Sequence, residues 1–242
     1  MDEFILKNYS LITRMVEFTA AITGIFLLRK YKNKEVKHFI YFLVFVAICD
    51  LLSSYTRYVL DDRFLSFLIG TKIEKNHWWA TLFWKIGAIV FYSYYYQNIL
   101  ITPLFKKVIK IAISLFLIFS TFYIIFHWQD FFIRFFPIIS VLGAIIIILC
   151  TILYFFELLQ SDNILTFYKS INFYISAAIF IWWLIITPIV FFDQYQAYIY
   201  NVYERDWDYI YLRRYIYLSC NVLMYGTFTF ALIFCRPKTL ES

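Results

Sequence analysis

The sequence is poor in glycine, proline and charged residues. Its 242 residues include only 5 glycines and 4 prolines, and 16% are charged, whereas a typical soluble domain carries about 25% charged residues. No glycine- or proline-rich linker divides the chain, which predicts a single domain over residues 1–242. Because 63% of the residues are hydrophobic, too few polar side chains remain to cover a water-exposed surface. The composition excludes a soluble globular protein and predicts one embedded in a lipid bilayer.

Motifs that mark common catalytic sites are also missing. The chain has no serine-hydrolase elbow, no HExxH zinc motif and no phosphate-binding loop, so no catalytic residue is assigned. The cysteines form no CxxC pair and are predicted to be free, buried side chains. We expect no metal, no cofactor and no nucleic-acid partner. The histidines lie at the edges of apolar segments and the cysteines lie within them: His38, His77 and His127, and Cys49, Cys150, Cys220 and Cys235.

Long apolar segments predict the fold. A hydrocarbon layer about 30 Å thick requires roughly 20 residues of helix, and the apolar runs lack the two-residue alternation of a membrane β-barrel. We predict an all-α polytopic transmembrane bundle of about seven spans without a soluble domain. Residues 64–70 are apolar but too short to cross, and charges interrupt the first span, so six or eight spans are alternatives. The predicted spans are 9–28, 39–60, 79–105, 108–126, 135–156, 171–192 and 212–235.

Basic residues predict the orientation, because lysine and arginine near membrane ends are retained in the cytoplasm. The first loop is the most basic and is also a candidate binding surface for a cytoplasmic protein partner. Its basic residues are Arg29, Lys30, Lys32, Lys34 and Lys37. Alternation of the spans then places Lys106, Lys107, Lys110, Lys169, Arg236 and Lys238 on the same side. The sequence therefore predicts an outside N-terminus and a cytoplasmic C-terminus.

Two segments on the predicted outer side are rich in aromatic residues. One is residues 64–79, and the other is the loop between the last two spans. Amphipathic rings commonly lie at the level of the lipid headgroups, so these segments are predicted to lie at the interface. We hypothesise that they form a cap over the outer end of the bundle. The aromatic residues of the second segment are Tyr195, Tyr198, Tyr200, Tyr203, Trp207, Tyr209 and Tyr211.

Five charged residues fall inside the first three spans: Arg14, Glu17, Asp50, Arg57 and Lys85. A charge inside hydrocarbon costs about 2.5–3.5 kcal/mol on insertion scales, so such residues need partners. At about 1.5 Å per residue, Glu17 and Asp50 both lie roughly 16 Å from the inner ends of their helices. This geometry allows the five charges to form a network in the outer half of the bundle, unless Arg14 and Arg57 extend outward to the lipid headgroups. Such a network either holds three helices in register or binds a ligand, an ion or a proton.

Other polar and small residues fall at informative positions in the spans. Asn221 in the seventh span reaches a similar depth, and Tyr92 extends the Lys85 side of the third span. These residues either complete a polar cavity or make hydrogen bonds between helices. Ala20 and Gly24 form a small-xxx-small pair. Such a pair allows the close approach of another helix, either within one chain or in a homo-oligomer.

Two short stretches carry a resemblance to known proteins. They are residues 17–28 followed by the basic residues 29–37, and the run Glu157-Leu158-Leu159-Gln160-Ser161-Asp162. Together they resemble small seven-helix bacterial membrane proteins. The resemblance implies a location in the bacterial inner membrane, and no activity or residue role follows from it.

Three functions compete on these observations. The leading hypothesis is a membrane sensor or signalling component that binds a small or lipidic ligand in the outer half and acts through a cytoplasmic partner. The second is an oligomeric transport or pore-forming protein. The third is an intramembrane lipid-modifying enzyme, in which Glu17 or Asp50 would act as acid or base.

Overall fold

A computed structural model describes residues 2–199 and 206–235, and within these ranges the chain is helical without any strand. Helix α3 is composite: it is α-helical at His77–Trp79, π-helical at Ala80–Gly87 and α-helical again at Ala88–Ile99. The other long helices are α1 (Asp2–Leu27), α2 (Lys34–Ser53), α4 (Pro103–Phe126), α5 (Pro137–Leu159), α6 (Ile171–Ile199) and α7 (Trp207–Phe234).

Six of the helices, all except α3, are long and apolar enough to cross a membrane. The mean hydropathy of their most apolar windows ranges from 1.5 in α7 to 2.8 in α5. Each coincides with one predicted span, and together they indicate an integral membrane protein. The remaining predicted span corresponds to α3, whose helical path is interrupted by π turns.

The predicted boundary between the third and fourth spans was wrong. Residues 79–105 were assigned to one span, but α3 ends at Ile99 and α4 begins at Pro103. A proline is favoured at the first position of a helix, and the residue before it is held in an extended conformation. Thr102 accordingly has φ −64° and ψ 117°. The apolar residues of this turn misled an assignment that was based on hydropathy alone.

The turn before α4 is held by Glu157 near the end of α5. Its carboxylate oxygens accept hydrogen bonds from the backbone N–H groups of Ile101 at 2.7 Å and Thr102 at 2.8 Å. A carboxylate also interacts favourably with the positive end of the helix dipole. We expect Glu157→Gln to lower the free energy of unfolding by about 1 kcal/mol, measured by thermal unfolding in detergent. The exposed Asp162→Asn is the control, and an equal loss in both variants would contradict this role.

The helices form a ring with one helix outside it. Contacts between neighbours follow the order α1, α2, α3, α5, α6, α7 and back to α1, while α4 packs against α3 and α5. Tyr31, just after α1, donates to the carbonyl oxygens of Leu232 at 2.8 Å and Cys235 at 3.0 Å. Since both acceptors lie at the end of α7, α1 and α7 run in the same direction.

Glycines allow the closest contacts between helices. A Cβ atom added to Gly24 would lie 2.9 Å from Ile40 Cγ2 in α2, so the small-xxx-small face of α1 packs within the chain. A Cβ atom on Gly143 of α5 would lie 2.9 Å from both Cγ1 and Cδ1 of Ile89 in α3. The free cysteines are all buried, as predicted.

The segment between α2 and α3 packs on the C-terminal end of α2. Asn76 Nδ2 donates to the carbonyl oxygen of Ser53 at 3.0 Å, and Trp79 Nε1 donates to that of Cys49 at 3.2 Å. Phe64, in the middle of the segment, is 89% exposed. Most of the second segment of the hypothetical cap is not described: Tyr200 and Tyr203 lie outside the described residues, as do the side chains of Tyr195 and Tyr198. Arg236 and Lys238, predicted on the cytoplasmic side, also lie outside the described residues.

Candidate functional site

A cavity of about 290 Å³ lies between α1, α2, α3, α6 and α7. Its polar lining comes from side chains that reach the interior from three different helices. Its apolar lining is mainly aromatic. The polar lining includes Thr13, Glu17, Asp50 and Asn221, and the aromatic lining includes Trp84, Tyr92, Trp182, Trp183 and Tyr225.

Glu17 is the most deeply buried charged residue on the cavity wall. Ser10, Thr13 and Glu17 line the cavity from one face of α1, because residues three and four apart project from the same side of a helix. The Glu17 residue is only 2% exposed, and its Oε1 atom has no hydrogen-bond partner in the described part of the protein. A buried polar group without a partner is costly. The arrangement therefore favours binding of a donor from outside the chain.

Asp50, the second carboxylate of the cavity, is paired with Arg14. Arg14 Nε lies 2.7 Å from Asp50 Oδ2, and the same guanidinium also donates to Ser54 Oγ. The two charged side chains are 19% and 27% exposed. Arg14 thus neutralises Asp50 and ties α1 to the end of α2.

Arg57 and Lys85 do not join the predicted network. Arg57 is exposed and donates to Ser10 Oγ at 2.7 Å, at the edge of the cavity lining. Lys85 Nζ lies 4.9 Å from the ring centroid of Phe135. Neither cation is in an ion pair with Glu17 or Asp50 among the described residues. The five charges therefore do not form one network. The prediction assumed regular α-helix at both cations, but Arg57 lies in a 3-10 segment after α2 and Lys85 lies in the π-helical part of α3.

Lys85 lies in the π-helical stretch of α3, which affects the direction of its side chain. At the end of this stretch the Ala88 N–H bonds to the carbonyl oxygen of Phe83, five residues earlier. A π turn rotates the residues that follow it around the helix axis relative to those that precede it. Such turns occur frequently at functional sites. In α3 they place Trp84, Ala88 and Tyr92 along the cavity, while Lys85 contacts a phenylalanine beside α5.

The aromatic wall was the part of the site that sequence reasoning missed. Trp84, Trp182 and Trp183 line the cavity, although tryptophan in membrane proteins is usually assigned to the interface. Trp182 Nε1 donates to Asn221 Oδ1 at 2.8 Å, which fixes the indole and the amide against each other. The sequence did contain one signal for these residues: the Trp182-Trp183 pair falls in the middle of an apolar run rather than at its end.

A second polar cluster connects α6 and α7. Arg213 Nε lies 2.7 Å from Asp193 Oδ1 and 3.0 Å from Oδ2, and the Tyr209 hydroxyl donates to Oδ1 at 2.5 Å. These contacts bridge the two helices. Asp193 and Arg213 do not line the cavity, so we assign the cluster a role in helix packing.

No three His, Cys, Asp or Glu side chains come together to hold a metal ion within residues 2–199 and 206–235. The cavity thus combines one unpaired carboxylate, one neutralised carboxylate and an aromatic wall.

Comparisons with protein-family models, characterised proteins and solved structures found no significant match to this chain.

Proposed function

We propose that the protein is a membrane sensor that binds a small ligand in the cavity and signals to a cytoplasmic partner through the basic loop after α1. In this proposal α3 crosses the membrane as a seventh span, with the N-terminus outside. The observation that carries it is the buried Glu17 carboxylate, which has an unpartnered oxygen and lines a cavity in the membrane-spanning region. Ionisable residues inside membrane bundles commonly mark ligand or ion sites.

The volume of the cavity sets the size of the ligand. An engineered cavity of about 150 Å³ in a soluble protein accommodates benzene. A volume of about 290 Å³ is roughly twice as large and suits a single ring with a short polar chain. A complete lipid molecule does not fit this volume, so we favour a small ligand over a lipidic one.

A route for the signal runs along α7. Asn221 and Tyr225 of this helix line the cavity, and its far end accepts the hydrogen bonds of Tyr31. Tyr31 is 3% exposed, and burial raises its pKa to about 12, so the hydroxyl remains a donor at neutral pH. It lies between Lys30 and Lys32 in the basic loop. A shift of α7 on ligand binding would therefore displace the loop.

The proposal can be tested with one fluorophore on the loop. The native cysteines at positions 49, 150, 220 and 235 are buried, so a cysteine introduced at the exposed Asn33 will react selectively. Single-ring amines, alcohols and carboxylates would be titrated onto Asn33→Cys protein in lipid nanodiscs. We expect at least one class to change the emission saturably, and the cavity-filling Ala88→Leu to abolish the change. Ligand binding without any change in emission would contradict the sensor.

Tyr31→Phe tests the coupling separately. The substitution removes both hydrogen bonds to α7 and leaves the ring in place, so we expect ligand affinity to change less than twofold while the emission change at position 33 falls by at least half. Affinity would be measured by quenching of the cavity tryptophans. Tyr41→Phe, at an exposed tyrosine of α2, is the matched control. Equal responses in the two variants would argue against transmission through Tyr31.

A cation transporter is the second candidate, because an unpaired carboxylate at depth is also suited to a translocation pathway. Reconstitution into liposomes that contain a pH- or cation-sensitive dye would distinguish the two functions. Dye-reported flux that disappears in Glu17→Gln would favour transport, whereas impermeable liposomes would favour the sensor.

A further inference from the structure

Acidic residues in the cavity lining are not matched by basic ones. Two carboxylates line the cavity, and the described lining residues include no lysine, arginine or histidine. Arg14 compensates Asp50 from outside the lining, and Arg57 is exposed and donates to Ser10. Lys85 contacts the Phe135 ring instead. Glu17 is thus left without a cation of its own, in an environment where an isolated charge is costly.

The aromatic wall indicates what kind of cation fits. The faces of tryptophan and tyrosine rings attract organic cations within about 6 Å, and quaternary ammonium groups are commonly bound in this way. Trp182 and Trp183 pack edge to face with ring centroids 5.1 Å apart, and Trp84 and Tyr92 line the cavity from α3.

We infer that the cavity selects a small organic cation, a protonated amine or a quaternary ammonium, with its charged nitrogen at Glu17 and its apolar part against the tryptophans. This inference rests on the proposed ligand site and names the chemical class of its ligand. The cation supplies the donor and the charge that the Glu17 carboxylate lacks within the described chain.

Three probes of the same size and different charge test the inference: phenethylamine, 2-phenylethanol and phenylacetate. Binding to the full chain in phosphatidylcholine nanodiscs would be measured by calorimetry at pH 7, with empty nanodiscs subtracted. A primary amine is protonated at this pH, because its pKa is close to the value of about 10.4 for lysine. We expect phenethylamine to bind at least tenfold more tightly than 2-phenylethanol, and phenylacetate to bind most weakly.

Substitutions test whether Glu17 is the residue that binds the charged nitrogen of the ligand. Glu17→Gln is expected to weaken phenethylamine binding at least tenfold and to leave 2-phenylethanol binding within twofold. Asp130→Asn, at an acidic residue outside the cavity lining, should leave both within twofold. Asp50 is a poor choice for this test because its substitution would also release Arg14. Should Glu17→Gln fail to fold, the comparison of the three probes on the unaltered protein still decides.

The outcomes separate this inference from the proposed function. If 2-phenylethanol binds as tightly as phenethylamine, or phenylacetate binds most tightly, the preference for a cation is overturned while the cavity remains a ligand site. If none of the three probes binds, both the ligand site and the inference fail.

Discussion

Replacing Gly143 by leucine is expected to lower the free energy of unfolding by about 3 kcal/mol, at the upper end of the usual cost of overpacking. A Cβ atom at this position would lie 2.9 Å from two atoms of the Ile89 side chain, and the backbone oxygen of Lys85 lies 3.8 Å away. Ile89 is itself fully buried, so it has little room to move. The substitution would force α5 and α3 apart beside the π turns. Thermal unfolding in detergent, followed by tryptophan fluorescence, would measure the loss.

Gly226→Leu is the matched control. Gly226 also lies within a long helix, but among the described residues no atom of a neighbouring element is within 4 Å of a Cβ placed there. Leucine has a higher helix propensity than glycine by roughly 0.8 kcal/mol, so we expect this variant to be as stable as the unaltered protein or slightly more stable. If the two variants lost similar stability, close approach at Gly143 would not be the cause.

Arg14→Met is expected to lower the free energy of unfolding by about 2 kcal/mol. Loss of one partner from a buried ion pair costs roughly 3–5 kcal/mol, and we reduce this because Arg14 and Asp50 are 19% and 27% exposed. The variant leaves Asp50 as a second uncompensated carboxylate beside Glu17. Adding Asp50→Asn removes that charge and should recover part of the loss. The same unfolding measurement on the single and double variants would provide the coupling energy.

Arg134→Met serves as the control for Arg14. Arg134 pairs with Asp130, but its side chain is 63% exposed, and exposed pairs typically contribute less than about 1 kcal/mol. We expect a change too small to resolve in the unfolding midpoint. A loss at Arg134 as large as that at Arg14 would show that burial does not determine the strength of these pairs.

Hydropathy was sufficient to predict most of the fold. Six predicted spans coincide with helices able to cross a membrane, because a continuous apolar run of that length needs all its backbone hydrogen bonds satisfied within the segment. The boundary near Pro103 was misplaced because Leu100 and Ile101 are apolar in a turn. The backbone N–H groups of Ile101 and Thr102 are satisfied by Glu157, 56 and 55 residues further along the chain, and a local measure of hydropathy does not detect this contact.

The candidate site was predictable only in part. Depth along a regular helix placed Glu17 and Asp50 at one level, and both line the cavity in the structure. The same geometry could not locate Lys85, because π turns have no clear sequence signature and change the direction of every residue on one side of them. It also could not identify the tryptophans as cavity residues, since membrane tryptophans are expected at the interface.

The π turns of α3 also affect which chemical group this helix presents to the cavity. Trp84 and Lys85 are neighbours in sequence, and one residue of an α-helix corresponds to a rotation of about 100°. In the π-helical register an indole faces the cavity and the ammonium lies against Phe135. A shift by a single residue would exchange an aromatic surface for a positive charge on the α3 side of the cavity. The neutral character of this wall is therefore a property of the helix register rather than of composition.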